Sequence, residues 1–171
     1  NENPYPPSPN VVAAVQAVLE NSADALRLYP DPDATALKQA IAKQQNVTVD
    51  NVFVGNGSDE VLAHIFKAFF VQDKPILYPD ITYSFYDVWA ELFRIPYERP
   101  MLDENFHIRK EDYFKENGGI VIANPNAPTG VEMDLTELEE IIEKNQDVIV
   151  IVDEAYVDFG GHTIIPLIEK Y

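Results

Sequence analysis

The 171-residue sequence contains no cysteine, and this absence excludes disulfides, thiolate metal sites and cysteine nucleophiles. Basic residues are also scarce: Lys and Arg total 12 against 29 Asp and Glu, so the formal net charge is −17. A strongly negative charge argues against nucleic acid or an anionic membrane as a partner. Its simplest consequence is solubility.

Long apolar runs are absent as well. No run approaches the roughly 20 residues that a membrane helix needs, and Asn1–Pro4 has neither the basic nor the apolar character of a signal region. A hydrophobic content of 46% still allows one substantial core. We expect no membrane association, a cytoplasmic location, and one domain or a domain plus an arm.

Familiar catalytic and metal-binding patterns are also missing. The three histidines, His64, His107 and His162, lie far apart in the sequence, so no metal site is predicted. There is no Gly-x-Ser-x-Gly elbow. The segment Gly55–Glu60 lacks the third glycine of a dinucleotide fingerprint and the lysine of a nucleotide P-loop.

The first 45 residues are predicted to form an arm followed by two helices. Four of the first nine residues are proline, which favours a stiff, extended backbone. Apolar residues then recur at helical spacing over Asn10–Leu19, with Ser8 or Asn10 as the cap, and again over Ala34–Gln45. Tyr29 is expected on the loop between the two helices.

From residue 52 onward, short apolar runs alternate with helical patterns. Strands are predicted at Val52–Val54, Pro75–Tyr78, Arg94–Arg99, Gly119–Ala123 and Asp147–Val152. Helices are predicted at Val61–Val71, around Tyr86–Phe93, and at Leu135–Lys144 with a cap near Asp134. Such βαβ alternation predicts an α/β fold, with a mostly parallel sheet covered by helices on both faces.

Three loops at strand carboxyl ends fall on one side of this sheet, where ligands bind in open α/β folds. They are Gly55–Glu60, Asn124–Gly130 and Asp153–Tyr156. The first could hold an anion at a helix N-terminus, or it could be a tight turn capped by Ser58 or Asp59.

Every residue of the predicted strand Val148–Val152 is apolar and β-branched, which predicts burial on both faces. Asp153 at its end is either a cofactor anchor or a cap on the next turn. Glu154 is expected to point to the opposite face, because side chains alternate along an extended backbone. The two acids are therefore not predicted to share a site.

Taken together, these motifs resemble the fold-type I pyridoxal-phosphate enzymes of the aspartate-aminotransferase family. The resemblance rests on six segments in order along the chain: Asn1–Tyr5, Tyr29-Pro30, Gly57–Glu60, Tyr78–Tyr83, Asn126–Gly130 and Asp153–Tyr156. The arm and the Tyr-Pro loop are most similar to the histidinol-phosphate branch of that family. The resemblance implies an N-terminal arm and helix over residues 1–25 and an incomplete cofactor-binding large domain over residues 26–171.

The resemblance also implies a role for each site residue. Asp153 would pair with the pyridine nitrogen of pyridoxal 5'-phosphate, Tyr156 would donate to its phenolic oxygen, and Tyr83 would stack on its ring. The phosphate would be bound by Gly57, Ser58 and Asp59, and by Tyr29 from the neighbouring subunit of a homodimer. Tyr5 would line the substrate pocket.

Two departures from the family pattern are apparent. The family asparagine that contacts the phenolic oxygen is replaced by Ala127, so Asn126 could supply the amide through a shifted loop, or Tyr156 could act alone. The Schiff-base lysine of the family, expected some 30 residues beyond Asp153–Tyr156, is not matched by any of the lysines present. The chain is therefore expected to be an inactive fragment of an enzyme.

The expected reaction of the parent enzyme is amino transfer between L-histidinol phosphate and 2-oxoglutarate, the oxo acid of glutamate, in histidine biosynthesis. An aromatic-amino-acid aminotransferase or a phosphothreonine-type decarboxylase would share nearly all of these motifs. A non-catalytic fragment that only binds pyridoxal phosphate or phosphate is the alternative from a different class.

Overall fold

The computed structural model describes residues 3–171 and contains two compact units, the first ending at Val54 and the second spanning Gly55–Tyr171. The sequence resemblance assigned residues 1–25 to an arm and helix, and the boundary between the compact units lies further along the chain. None of the helices in residues 3–171 is long and apolar enough to cross a membrane.

The first unit is built from helices. It contains α1 (Pro9–Ser22), a 3₁₀ helix (Ala23–Arg27), α2 (Thr35–Gln45) and a second 3₁₀ helix (Val49–Asn51). The predicted cap is confirmed at Ser8, whose side chain accepts a hydrogen bond from the Asn10 amide at 3.3 Å. The loop before α2 is fixed by Asp31, whose Oδ2 accepts from the Thr35 amide at 2.8 Å.

The predicted strand Val52–Val54 is wrong. The backbone is extended at Val52, but residues 52–54 are not part of a strand, and the sheet found in residues 3–171 does not include them. Extended, β-branched residues become a strand only when a neighbouring segment supplies the hydrogen-bonded ladder, and the sequence alone does not reveal that neighbour.

The second unit contains a four-stranded parallel sheet with the order β2-β1-β3-β4. Its strands are β1 (Ile76–Leu77), β2 (Tyr97–Glu98), β3 (Ile120–Ala123) and β4 (Val150–Asp153). Its longer helices are α3 (Gly57–Phe69), α4 (Phe85–Phe93) and α5 (Leu135–Lys144). Short 3₁₀ helices lie at Lys110–Tyr113, Val157–Phe159 and Ile165–Leu167.

Helices cover both faces of this sheet, as predicted. On one face, Ile76 and Val121 pack in a cluster with buried residues of α3 and α4, including Phe66 and Tyr86. On the other face, Ile120 and its strand neighbours pack against α5. Successive strand residues enter different clusters because side chains alternate across a sheet.

Helix α5 follows its sequence pattern closely, whereas the burial of β4 does not. Helix α5 begins at Leu135, and the Asp134 side chain accepts from the Thr136 amide at 2.8 Å. Strand β4 was predicted to be buried on both faces, but Val150–Asp153 is only partly buried. Strand β4 lies at the edge of the sheet formed by the described residues, so the neighbouring elements cover it only in part.

Candidate active site

The site lies where the parallel strands of the second unit end. The loops that follow β1, β3 and β4 leave the sheet at its carboxyl edge, because all the strands run in the same direction. Side chains from these loops and from the first turn of α3 are joined by hydrogen bonds. The predicted convergence of Asn124–Gly130 and Asp153–Tyr156 on one edge of the sheet is therefore observed.

Helix α3 begins at Gly57, four residues before the predicted start. Asn56 is the N-cap residue and makes no side-chain capping bond, although its amide donates to the Glu60 carboxylate at 2.5 Å. The reading in which Ser58 or Asp59 caps a tight turn is therefore wrong, because both residues lie within the first helical turn. First-turn amides have no partner inside a helix and carry the positive end of its dipole, which makes those of Ser58 and Asp59 suited to an anion, whereas the Gly57 amide donates to the Gly55 carbonyl at 3.0 Å.

Two glycines shape this turn for different reasons. A Cβ atom on Gly55 would lie 2.9 Å from Val61 Cγ2, so the loop passes too close to the helix for a side chain. Gly57 has φ +79°, a left-handed conformation that glycine adopts readily, and a Cβ there would meet nothing within 4 Å. The space beside Gly57 is therefore open for a ligand to approach the backbone.

Tyr83 and Asp59 form the first polar pair of the site. The Tyr83 hydroxyl donates to Asp59 Oδ1 at 2.8 Å, and its ring stacks on Phe85 with centroids 5.6 Å apart. Burial and this hydrogen bond, together with the nearby Asp153 charge, raise the pKa of Tyr83 to about 12. The hydroxyl therefore stays protonated near neutral pH and holds the Asp59 carboxylate.

Asp153 forms the second polar pair with Tyr86, a residue that the sequence did not indicate as part of the site. Its Oδ2 accepts from the Tyr86 hydroxyl at 2.8 Å, and its Oδ1 accepts from the Ala155 amide at 3.2 Å. The sequence placed Tyr86 only in a predicted helix around Tyr86–Phe93. A signal was nonetheless present, because a tyrosine at a buried helical position usually needs a partner for its hydroxyl.

Glu154 is separate from this pair, as predicted. Its carboxylate accepts from the Thr163 hydroxyl and from the Ile164 amide, both at 2.7 Å. These bonds tie the end of β4 to the segment that follows it. Glu154 therefore stabilises the local fold, and Asp153 is the acid that belongs to the site.

Tyr156 follows Asp153 and is 37% exposed. Its ring lies 6.2 Å from that of Phe159, and it is close enough to Tyr83 to influence that residue's pKa. Within residues 3–171 the Tyr156 hydroxyl has no hydrogen-bond partner. It is consequently a donor at the site that a ligand could use.

The Asn126 side chain is hydrogen-bonded within the protein. The side chain is only 4% exposed, and its Nδ2 donates to the Ile81 carbonyl and to Thr129 Oγ1, each at 3.0 Å. Its Oδ1 accepts from the Thr82 hydroxyl at 2.8 Å. An amide has two N–H donors, and both are used inside the protein. The suggested contact of Asn126 with the phenolic oxygen of a cofactor is therefore not supported by this arrangement, and its side chain fixes two loops together.

Tyr5 and Tyr29 belong to the first unit. Tyr5 is 73% exposed and Tyr29 is 100% exposed. Their roles toward substrate and phosphate stay predictions. In the described part of the chain, no three histidine, aspartate or glutamate side chains are grouped so as to hold a metal ion.

The protein-family model described as aminotransferase class I and II matches residues 1–171. The chain belongs to this family. It is 65% identical to the histidinol-phosphate aminotransferase of Acinetobacter baumannii strain SDF, over 100% of this chain and 47% of that relative. The chain thus spans about half the length of the curated relatives it matches.

Solved structures agree with this family assignment at the level of the fold. A putative histidinol-phosphate aminotransferase from Erwinia carotovora atroseptica superposes with a TM-score of 0.86 at 23% identity, over 99% of this chain and 51% of that one. The enzyme from Sinorhizobium meliloti, solved in complex with pyridoxal-5'-phosphate, gives 0.81 at 20% identity, over 92% and 43%. The sheet and helices described above are therefore part of a fold-type I aminotransferase domain.

Proposed function

We propose that this chain forms the main cofactor-binding part of an aminotransferase that moves an amino group between L-histidinol phosphate and 2-oxoglutarate in histidine biosynthesis. The observation that carries the proposal is the convergence of Asp153, Tyr156, Tyr83 and the first turn of α3 at one edge of the sheet. The identity of 65% to a histidinol-phosphate aminotransferase supports the choice of substrate.

The donor set fits pyridoxal 5'-phosphate. That molecule presents a phosphate, a basic pyridine nitrogen and a phenolic oxygen, and when bound it supplies a ring that accepts electrons from the substrate. The side chains and backbone groups here offer a matching group for each: the amides that open α3, the Asp153 carboxylate and the Tyr156 hydroxyl. Gly57 leaves the space through which a phosphate could approach the amides.

Asp153 is proposed to hold a proton on the pyridine nitrogen. A carboxylate beside a basic nitrogen favours its protonated form through charge attraction. The hydrogen bonds from Tyr86 and Ala155 keep the Asp153 carboxylate in one orientation. Tyr156 is proposed to donate its hydroxyl hydrogen to the phenolic oxygen, and it would act without Asn126, whose donors are already used.

Tyr83 is proposed to lie against one face of the ring. Its hydroxyl is fixed by Asp59, so the orientation of its own ring is restricted before any ligand arrives. The same bond offsets part of the negative charge of Asp59, which would otherwise oppose a phosphate at the start of α3. Ser58 is proposed to assist with its hydroxyl and amide.

The proton transfer at the substrate needs a basic amine, and no lysine within residues 3–171 is hydrogen-bonded or ion-paired to Asp59, Tyr83 or Asp153. Half of the eight lysines, Lys74, Lys110, Lys115 and Lys170, form ion pairs with glutamates. We propose that this amine is supplied by the part of the enzyme that corresponds to the half of the relatives not spanned by this chain. A cytoplasmic homodimer, with Tyr29 reaching the partner's phosphate and Tyr5 lining the substrate pocket, completes the proposal.

The proposal is tested by assaying the full-length protein with histidinol phosphate and 2-oxoglutarate and measuring glutamate. Wild-type protein should form glutamate, and Asp153→Asn should reduce turnover by at least a hundredfold while the circular dichroism spectrum is unchanged. Phenylalanine and tyrosine are supplied as alternative amino donors, which tests whether the enzyme is an aromatic-amino-acid aminotransferase. Faster turnover with them than with histidinol phosphate would reject the proposed substrate.

A further inference from the structure

Tyr86 is the most deeply buried polar side chain connected to the site. It lies in the first turn of α4 with a relative exposure of 0%, and its ring contacts those of Phe66, Tyr78 and Tyr83 at centroid distances of 6.3, 5.8 and 5.7 Å. Its hydroxyl donates to Asp153 Oδ2 at 2.8 Å. The aromatic contacts therefore fix the donor from which Asp153 takes its orientation.

We propose that Tyr86 is a positioning residue for cofactor binding, acting by holding the Asp153 carboxylate in the orientation that aims it at the pyridine nitrogen. This inference rests on the proposed function and deepens it, because it assigns a role to a residue outside the set implied by the family motifs. Tyr86 would not need to touch the cofactor itself.

Three physical features support the assignment. A hydrogen bond to a carboxylate is charge-assisted, so the bond from Tyr86 restrains the orientation of Asp153 more strongly than a bond between neutral groups would. Burial and the charge of Asp153 raise the pKa of Tyr86, so its hydroxyl stays protonated and continues to donate. The Ala155 amide occupies only the other carboxylate oxygen, at a longer 3.2 Å, so it cannot replace Tyr86.

The protein offers a matched control for this role. Tyr78 is 1% exposed, lies in the same aromatic cluster, and donates its hydroxyl to a carboxylate oxygen of Asp87 at 2.8 Å. Asp87 is paired with Arg99 at 3.2 Å and is not part of the site. Tyr78→Phe therefore removes the same group from the same kind of environment, and it keeps the ring that contacts Tyr86 while deleting a hydroxyl that bonds to Asp87 and not to Asp153.

The test compares Tyr86→Phe, Tyr78→Phe, Asp153→Asn and the double variant of Tyr86 and Asp153 in the full-length protein. The dissociation constant of pyridoxal phosphate is measured on each apo-protein by fluorescence quenching, and urea unfolding is measured alongside. Tyr86→Phe should weaken binding about tenfold, since a hydrogen bond to a charged group is lost. Tyr78→Phe should stay within about twofold of wild type, although both variants should unfold at lower urea concentration.

The double variant separates positioning from a general structural effect. If Tyr86 acts through Asp153, adding Tyr86→Phe to Asp153→Asn should weaken binding by less than about twofold. The inference is overturned if Tyr86→Phe weakens binding as much in the Asp153→Asn background as it does in wild type. It is also overturned if Tyr78→Phe loses as much affinity as Tyr86→Phe, or if Tyr86→Phe binds as tightly as wild type. If Asp153→Asn itself binds pyridoxal phosphate as tightly as wild type, the proposed function fails instead.

Discussion

Substituting Tyr83 by phenylalanine tests the electrostatic account of the site most quantitatively. The substitution removes the hydroxyl that donates to Asp59 at 2.8 Å and keeps the ring that is proposed to stack on the cofactor. The pKa of Tyr83 is raised from its ordinary value of 10.0 to about 12, with burial as the largest cause. The folded protein therefore favours the neutral phenol more than the unfolded chain does.

The sign of the pH effect follows from the direction of this shift. A pKa that is higher in the folded state gives stability that is fully present below pH 10 and is lost as the pH rises through about 12. A pKa that rises from 10.0 to about 12 on folding corresponds to about 2.7 kcal/mol of stability. Since Tyr83 is partly exposed, solvent screening reduces the expected contribution to about 1–2 kcal/mol.

Urea unfolding of the full-length protein between pH 8 and pH 11 measures this contribution. Wild type should lose stability above pH 10 more steeply than Tyr83→Phe, and the free-energy difference between them should shrink as the pH rises. Asp59→Asn should flatten the wild-type curve in part, because Asp59 is a cause of the shift. Tyr97→Phe, which removes a hydroxyl from a tyrosine stacked on Tyr78, is the control. Parallel curves for wild type and Tyr83→Phe across this range would refute the reasoning.

Three further substitutions test how the fold supports the site. Gly119→Ala should destabilise the protein by about 3 kcal/mol or more, because Gly119 has φ +140° and a Cβ would lie 2.4 Å from Phe70 Cε1; urea unfolding that matches wild type would contradict the packing described here. Asn126→Ala should cost about 2–4 kcal/mol by the same measurement, since this buried side chain loses two hydrogen bonds to the Ile81-Thr82 loop and one to Thr129 in its own loop; a loss below about 0.5 kcal/mol would show that this amide does not hold the loops. Gly57→Val should weaken pyridoxal phosphate binding at least tenfold in a fluorescence titration, because its side chain would fill the open space beside the first turn of α3; affinity equal to that of wild type would place the phosphate elsewhere.

Local signals explain which parts of the fold could be predicted from the sequence. Helix α5 was predicted with its observed bounds because Asp134 is a strong cap and the apolar spacing is helical. The strands around β1 and β3 were found because short apolar runs stand between turn residues. The strand at Val52–Val54 was wrong and β4 was less buried than expected, since both depend on neighbouring strands that local sequence does not specify.

The site residues that belong to a local motif could be predicted from the sequence. Hydrogen-bond partners that are distant in sequence could not. Asp153 and Glu154 were separated correctly by the alternation of side chains along a strand. The bond from Tyr86 to Asp153 spans 67 residues, and the bond from Thr82 to Asn126 spans 44. No local pattern encodes such pairs, so the partner of the Tyr86 hydroxyl and the internal bonds of Asn126 are visible only in three dimensions.

A crystal structure of the full-length protein with bound pyridoxal phosphate is the most direct test of the central claim. We expect the Asp153 carboxylate within hydrogen-bond distance of the pyridine nitrogen, the phosphate at the amides that open α3, and the Tyr86 hydroxyl still donating to Asp153. A cofactor bound with its nitrogen away from Asp153, or with its phosphate away from residues Gly57–Asp59, would contradict it.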